Sequence, residues 1–149
     1  VLASGRSSKA PPRFEDWWAK IYVTDISHPA WRHLTASAKD VMLICTAKAG
    51  NAASKGLKDD AGRPKFEFTF SEGKRLLHMP SPTFNRALTE LLEKGFLGIS
   101  RHGGICVGKG IPAQYHVTDK WKEWQPPAKD TTNIHKARAA RKKQKQNPT

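Results

Sequence analysis

Six histidines and two cysteines are the residues of this chain that could ligate a metal. Their spacing argues against a site. His28 and His33 stand five apart, Cys45 and Cys106 are isolated, and there is no CxxC or HxxxH pair. Asp59 and Asp60 are adjacent carboxylates, but between Lys58 and Arg63 they read as a turn and not as a hydrolytic pair. "GGICVGKG" has the glycines of a phosphate loop without the GK[ST] ending or the strand-to-helix context. No cofactor, metal or catalytic residue is expected, so the chain reads as a non-enzyme. What remains is hydrogen-bonding chemistry in one short stretch that holds Ser81, Thr83, Asn85, Arg86 and Thr89. Arginine can pair with guanine, and asparagine with adenine, through two hydrogen bonds each. Hydroxyls beside the free amides of a helix start suit phosphate.

Such groups read nothing unless an element holds them rigidly. "HMPSPTFNRALTELLEKGF" spans residues 78–96 and predicts a helix with Ser81 as N-cap, Pro82 in the first turn and Gly95 as left-handed stop. Phe84, Leu88, Leu91 and Leu92 fall on one apolar face. The opposite face carries Thr83, Asn85, Arg86, Thr89, Glu90 and Glu93. Its start is suited to bases and phosphates. Its end is acidic and is expected to be solvated.

The flanking segments build a frame around this helix. Phe14, Trp17, Trp18 and Ile21 have helical spacing with Glu15 and Asp16 near the start, which predicts a short amphipathic helix. "SHPAWRHL" predicts a turn or two of helix capped by Ser27. A longer helix should start at a Thr35 cap, bury Leu34, Ala38, Val41, Met42 and Cys45, and end at Gly50-Asn51. Residues 51–64 read as a polar loop. "KFEFTF" alternates, with Phe66, Phe68 and Phe70 on one side, and predicts a half-buried strand. Ser71 should then cap a short helix that buries Leu76 and Leu77 and carries Lys74 and Arg75 outward. Strands are expected at "FLGISR" and "AQYHVT", with Tyr115 and Val117 sharing a face. The glycine-rich loop between them, residues 101–112, carries Arg101, His102 and Lys109. Trp17, Trp18, Trp31, Trp121 and Trp124 read as core packing, and "WKEW" and the N-terminal Trp-rich segment as the candidate dimer contacts.

Composition bounds the class. The 149 residues are 26% charged and 38% hydrophobic, the balance of one modest globular domain with tails. No apolar run approaches the roughly 20 residues of a membrane helix. The first residues lack the apolar core of a signal peptide, and two scattered cysteines suit a reducing cytoplasm. The formal net charge is +13 and is concentrated at the ends. Residues 1–13, a basic flexible segment, hold Arg6, Lys9 and Arg13 with no anion. Residues 125–149 hold Lys129, Lys136, Arg138, Arg141, Lys142, Lys143 and Lys145 against Asp130 alone. Basic tails on a mildly basic body, residues 14–124, seek a polyanion, most often nucleic acid.

The order helix, strand, helix, tight turn, helix, strand, glycine-rich loop, strand is that of a winged helix. "FTFSEGKRLLHMPSPTFNRALTELLEKGFLGISRHGG" followed by "AQYHVT" resembles the winged helix-turn-helix family. "SHPAWRHLTASAKDVMLI" and "YHVTDKW" resemble small winged-helix proteins of bacterial plasmids, phages and integrating elements. The long 51–64 loop departs from that pattern. The resemblance implies an α+β fold, a three-helix helix-turn-helix core with a small antiparallel sheet, an N-terminal helical extension and a basic C-terminal tail. It implies binding of double-stranded DNA by a bacterial, cytoplasmic protein, as a transcription regulator or a replication or transfer accessory factor of a mobile element. Residues 81–96 would be the recognition helix and residues 101–112 the wing, with Lys74, Arg75 and the tail cations Arg138, Arg141, Lys142 and Lys143 on the backbone. The alternatives are a protein-interaction scaffold, acting as a homodimer or with another protein, and an RNA-binding component of a ribonucleoprotein.

Overall fold

The computed structural model describes residues 17–106, 109–127 and 140–142. Its backbone is the helix α3, Ala36–Ser54. Two single-turn helices precede it, α1 (Val23–Ser27) and α2 (Pro29–Arg32). The Thr35 hydroxyl caps α3 by accepting from the Ala38 amide at 3.2 Å, and Ala38, Val41, Met42 and Cys45 are buried, as the spacing predicts. Burial pushes the Cys45 thiol well above its ordinary range, in favour of the neutral form. The helix does not stop at Gly50-Asn51. It runs to Ser54 because Ala52 is buried and packs the extra turn, which outweighs a glycine cost of about 1 kcal/mol.

The expected helix over 14–21 is absent from the part described. Residues 17–22 are irregular, α1 buries none of its residues, and Trp18 is 76% exposed. Phe14, Glu15 and Asp16 lie outside the described residues. A helix this short needs a surface to bury its stripe, and the segment finds little. Ser27 ends α1, its hydroxyl donating to the Val23 carbonyl. The cap of α2 is His28, whose Nδ1 accepts from the Ala30 amide at 3.1 Å.

The strand predicted over 65–70 shrinks to β1, Phe66–Glu67, because Thr69 caps the next helix, α4 (Phe70–Leu77), and turns the chain early. Phe70 is therefore partly exposed, Ser71 lies inside the helix, and Leu76 and Leu77 are half-buried. His78, Met79 and Pro80 lead into α5, Ser81–Glu93, with His78 in the left-handed region at φ 51°. Pro80 occupies the N-cap position, so Ser81 is the first helical residue and caps nothing. Gly95 is left-handed, φ 83°, as its stop signal requires.

After Gly95 come β2 (Leu97–Arg101), β3 (Gly104–Cys106), β4 (Lys109–Ile111) and β5 (Gln114–Val117). The antiparallel sheet has the order β1-β5-β2, with Phe66 opposite Tyr115 and Leu97 opposite Val117. The glycine-rich stretch is a paired hairpin, β3 with β4, where a loop was expected. Tyr115 meets the core, whereas Val117 at the end of β5 is partly exposed and His116 on the other face is buried. The fold is α+β, with α3, α4, α5 and the sheet around one core. Phe84 meets Phe68 edge-on at 5.0 Å, and Phe96 stacks on Trp121 at 5.2 Å. Trp121 belongs to a closing 3-10 helix, Lys120–Glu123, so "WKEW" serves the core and Trp124 is half-buried behind it. No described helix is long and apolar enough to cross a membrane.

Candidate nucleic-acid interface

Phe84, Ala87, Leu88 and Leu91 anchor α5, with Leu92 half-buried at the edge of the stripe. Asn85, Arg86, Thr89 and Glu93 are exposed on the side away from the core. Ser81 and Thr83 are half-buried at the flanks. Two of the outward side chains fold back on the helix: Arg86 Nε donates to the Pro82 carbonyl at 3.3 Å, and the Thr89 hydroxyl to the Asn85 carbonyl at 2.9 Å. Beside the start of α5, Lys74, Arg75 and His78 are exposed and line an open cleft of about 1030 Å³ with Phe70, Ser71 and Ser81. The chain thus brings a cationic cleft, the first turn of α5 and the asparagine-arginine pair into one region.

Glu90 does not belong to the solvated end where its position in the sequence suggests it should lie. Its carboxylate accepts from the Thr35 amide at 3.0 Å, the Thr35 hydroxyl at 2.7 Å and Lys94 Nζ at 2.9 Å. Burial pushes the Glu90 carboxyl up, but these bonds outweigh it and hold the group below its ordinary value. Glu93 is the exposed acid of that end.

The hairpin hangs from β2, which packs on α5. His102 is exposed at its root, and Lys109 lies in β4 opposite Cys106. Arg101 is partly engaged: its Nη2 donates to the Pro112 carbonyl at 3.0 Å and lies 3.6 Å from Glu67. In the tail, Arg141 and Lys142 are exposed on a helical turn over 140–142, while Arg138 and Lys143 lie outside the described residues.

No family model matches the chain, and no curated protein matches it in sequence. Solved structures match it in fold. A Rep-DNA complex superposes with a TM-score of 0.51 at 13% identity, over 85% of this chain and 90% of that one. The N-terminal domain of a DNA-binding protein gives 0.53 at 14% identity, over 85% and 90%. An MDR initiator gives 0.52 at 15% identity, over 84% and 92%. At these identities the likeness is one of fold.

A cluster that sequence patterns did not reveal lies behind the sheet. The Ser100 hydroxyl is 2.8 Å from His116 Nδ1 and donates to Asp59 Oδ2 at 2.9 Å. Asp59 also accepts from the Ala61 and Arg63 amides and from Arg63 Nε. Burial raises the Asp59 carboxyl, but the bonds from Arg63 and Ser100 prevail and bring it down to about 2. The residue types are those of a nucleophilic triad, but the geometry is not. A triad needs acid and nucleophile on opposite ring nitrogens. Here both meet Nδ1, while Nε2 lies over Gly98, where an added Cβ would stand 2.4 Å from it. The cluster docks the long loop onto β2 and β5. Its legible signal was a histidine on the polar phase of a strand, facing a loop too long to be left unanchored.

Proposed function

We propose that the chain is a winged helix-turn-helix protein that binds double-stranded DNA, without chemistry of its own, through α5 as recognition helix and the β3–β4 hairpin as wing. The observation that carries this reading is the pairing of a rigidly anchored α5, with Asn85 and Arg86 exposed on its early turns, and the cleft beside its start lined by the cations Lys74 and Arg75. A helix so held fits the major groove by its N-terminal turns, with the preceding helix on the backbone. Fold likeness to a Rep-DNA complex and an MDR initiator favours replication initiation within the roles considered, ahead of transcription regulation or transfer. In this reading the protein works in the bacterial cytoplasm on plasmid or phage DNA.

Selection of bound duplexes from a random pool tests it. Enrichment of one motif is expected, and a two-fold motif would add a dimer. No enrichment, with undiminished binding to any polyanion, would remove the sequence-specific role. A protein-interaction role has one observation in its favour, the exposed Trp18, Tyr22, Val23 and Ile26 at the N-terminal end. It would take the lead if duplex DNA were not bound.

A further inference from the structure

In a capping box, the N-cap side chain bonds the amide of the third helical residue, and that residue's carboxylate returns a bond to the N-cap amide. Helix α3 has only half of this. Thr35 caps it, but the third position is Ala38, which has no polar group to return. The missing carboxylate comes from another helix, 55 residues on in the chain. Glu90 takes the Thr35 amide on Oε1 and the Thr35 hydroxyl on Oε2. Lys94, at the C-cap of α5, joins Glu90 Oε1 to the His33 carbonyl, at 2.9 Å to each, with its ammonium 5.3 Å from the Trp124 ring.

We infer that Glu90 is a positioning residue: it completes the α3 capping box in trans and so sets the roll of α5, and with it the place of Asn85 and Arg86. The link to DNA rests on the reading of α5 as recognition helix; the setting of α5 does not. The apolar stripe fixes how deep α5 sits. Close packing of Phe84, Ala87, Leu88 and Leu91 holds α5 firmly against the core, and within that packing its exact roll is set by directional contacts on the flank. Hydrogen bonds on the flank are directional. Arg86 stands one helical turn before Glu90, so an error of roll at Glu90 is carried to it. Paired base contacts demand placement within about 0.5 Å.

The test uses opposite signs. Glu90 is an anion on the proposed DNA-binding helix, so electrostatics alone predicts that its removal tightens binding. Positioning predicts that Glu90→Ala weakens binding to the selected duplex about tenfold at fixed salt, the effect of a weakened base pairing. Glu93→Ala, on the exposed end, should bind unchanged or more tightly. Glu90→Gln, which keeps an oxygen for the Thr35 amide, should recover part of the affinity and guards against a variant that fails to fold. Residual dipolar couplings of the α3 and α5 amides in the DNA-free protein should show α5 reoriented in Glu90→Ala. Unchanged couplings would overturn the proposal, as would a Glu90→Ala variant that tightens binding like Glu93→Ala. If the wild type binds no duplex while the couplings still change, the setting of α5 by Glu90 stands and the DNA reading fails.

Discussion

Arg86 lies along its own helix, held at Nε by one exposed 3.3 Å bond to Pro82. Swinging out toward a base sacrifices little, since a single long, solvent-exposed bond gives way to two shorter ones in a desolvated groove. Arg86→Ala should therefore cost about 1–3 kcal/mol on the preferred duplex and relax preference at one or two base pairs. Affinities for that duplex and its single-base variants, at one salt concentration, measure this. An equal weakening on every sequence would make Arg86 a phosphate contact. His116 supports a second expectation at this scale. Burial, reinforced by the Arg63 charge, lowers its pKa against the pull of Asp59. The folded state thus favours the neutral ring, and below the unfolded value of about 6.5 the unfolded chain binds the extra proton. That contribution to stability is present above a pH of about 6.5 and is lost as the pH falls toward the lower folded value. The melting temperature should drop between about pH 7.5 and 5.5, and His116→Asn should flatten that slope. An unaltered slope in the variant would assign the effect to other groups.

The α4–α5 pair depends on a glycine that no sequence pattern singles out. A Cβ on Gly73 would stand 2.6 Å from the Phe84 ring, which is buried and packed edge-on against Phe68. Two opposed effects meet at this position. Alanine gains up to about 1 kcal/mol of helix propensity over glycine. Overpacking a tight core costs about 1–3 kcal/mol. The clash is with a buried ring and not with the end of a flexible chain, so Gly73→Ala should be net destabilising, by about 1–2 kcal/mol in urea unfolding. A gain in stability would mean that the two helices are less closely packed than this contact requires. The same element shows the limits of pattern. Alternation put Phe66, Phe68 and Phe70 on one strand, because a period of two is all that three phenylalanines display. The Thr69 hydroxyl accepts from the Glu72 amide at 3.3 Å and opens α4 there, so the strand ends at Glu67 despite its strand-favouring residues.

Across the whole molecule, the excess of positive charge lies mostly in residues 1–13 and 125–149 of the chain. Arg141 and Lys142 are exposed to solvent. If the tail follows the DNA backbone, removing residues 127–149 should weaken binding to all duplexes alike. For every phosphate that the shortened chain no longer neutralises, the slope of log K against log salt should fall by about 0.9. Equilibrium binding over a salt series measures it, and a slope identical to that of the full chain would leave the tail as a spacer or a protein-binding segment.

The apolar stripes of α3 and α5, the Thr35 cap, the Gly95 stop, and the strands β2 and β5 were all legible, because each depends on neighbours within a turn or two of the chain. So was the exposed pair Asn85 and Arg86, whose outward position follows from helical phase once the buried stripe is known. The fate of the remaining residues was decided by contacts between segments distant in sequence. Glu90 looked like one more solvated acid, and Thr35, 55 residues away, made it a cross-helix tie. Asp59 is the turn residue it reads as, accepting from the Ala61 and Arg63 amides, and Ser100 in addition makes it the anchor of the long loop. The N-terminal tryptophans have helical spacing, but residues 17–22 form no helix: Trp17 is half-buried with Lys55 over its ring, and Trp18 is exposed. Periodicity records which face of an element is apolar. Which partner meets its polar groups is set only when the elements pack, since a hydrogen bond needs both partners within about 3 Å.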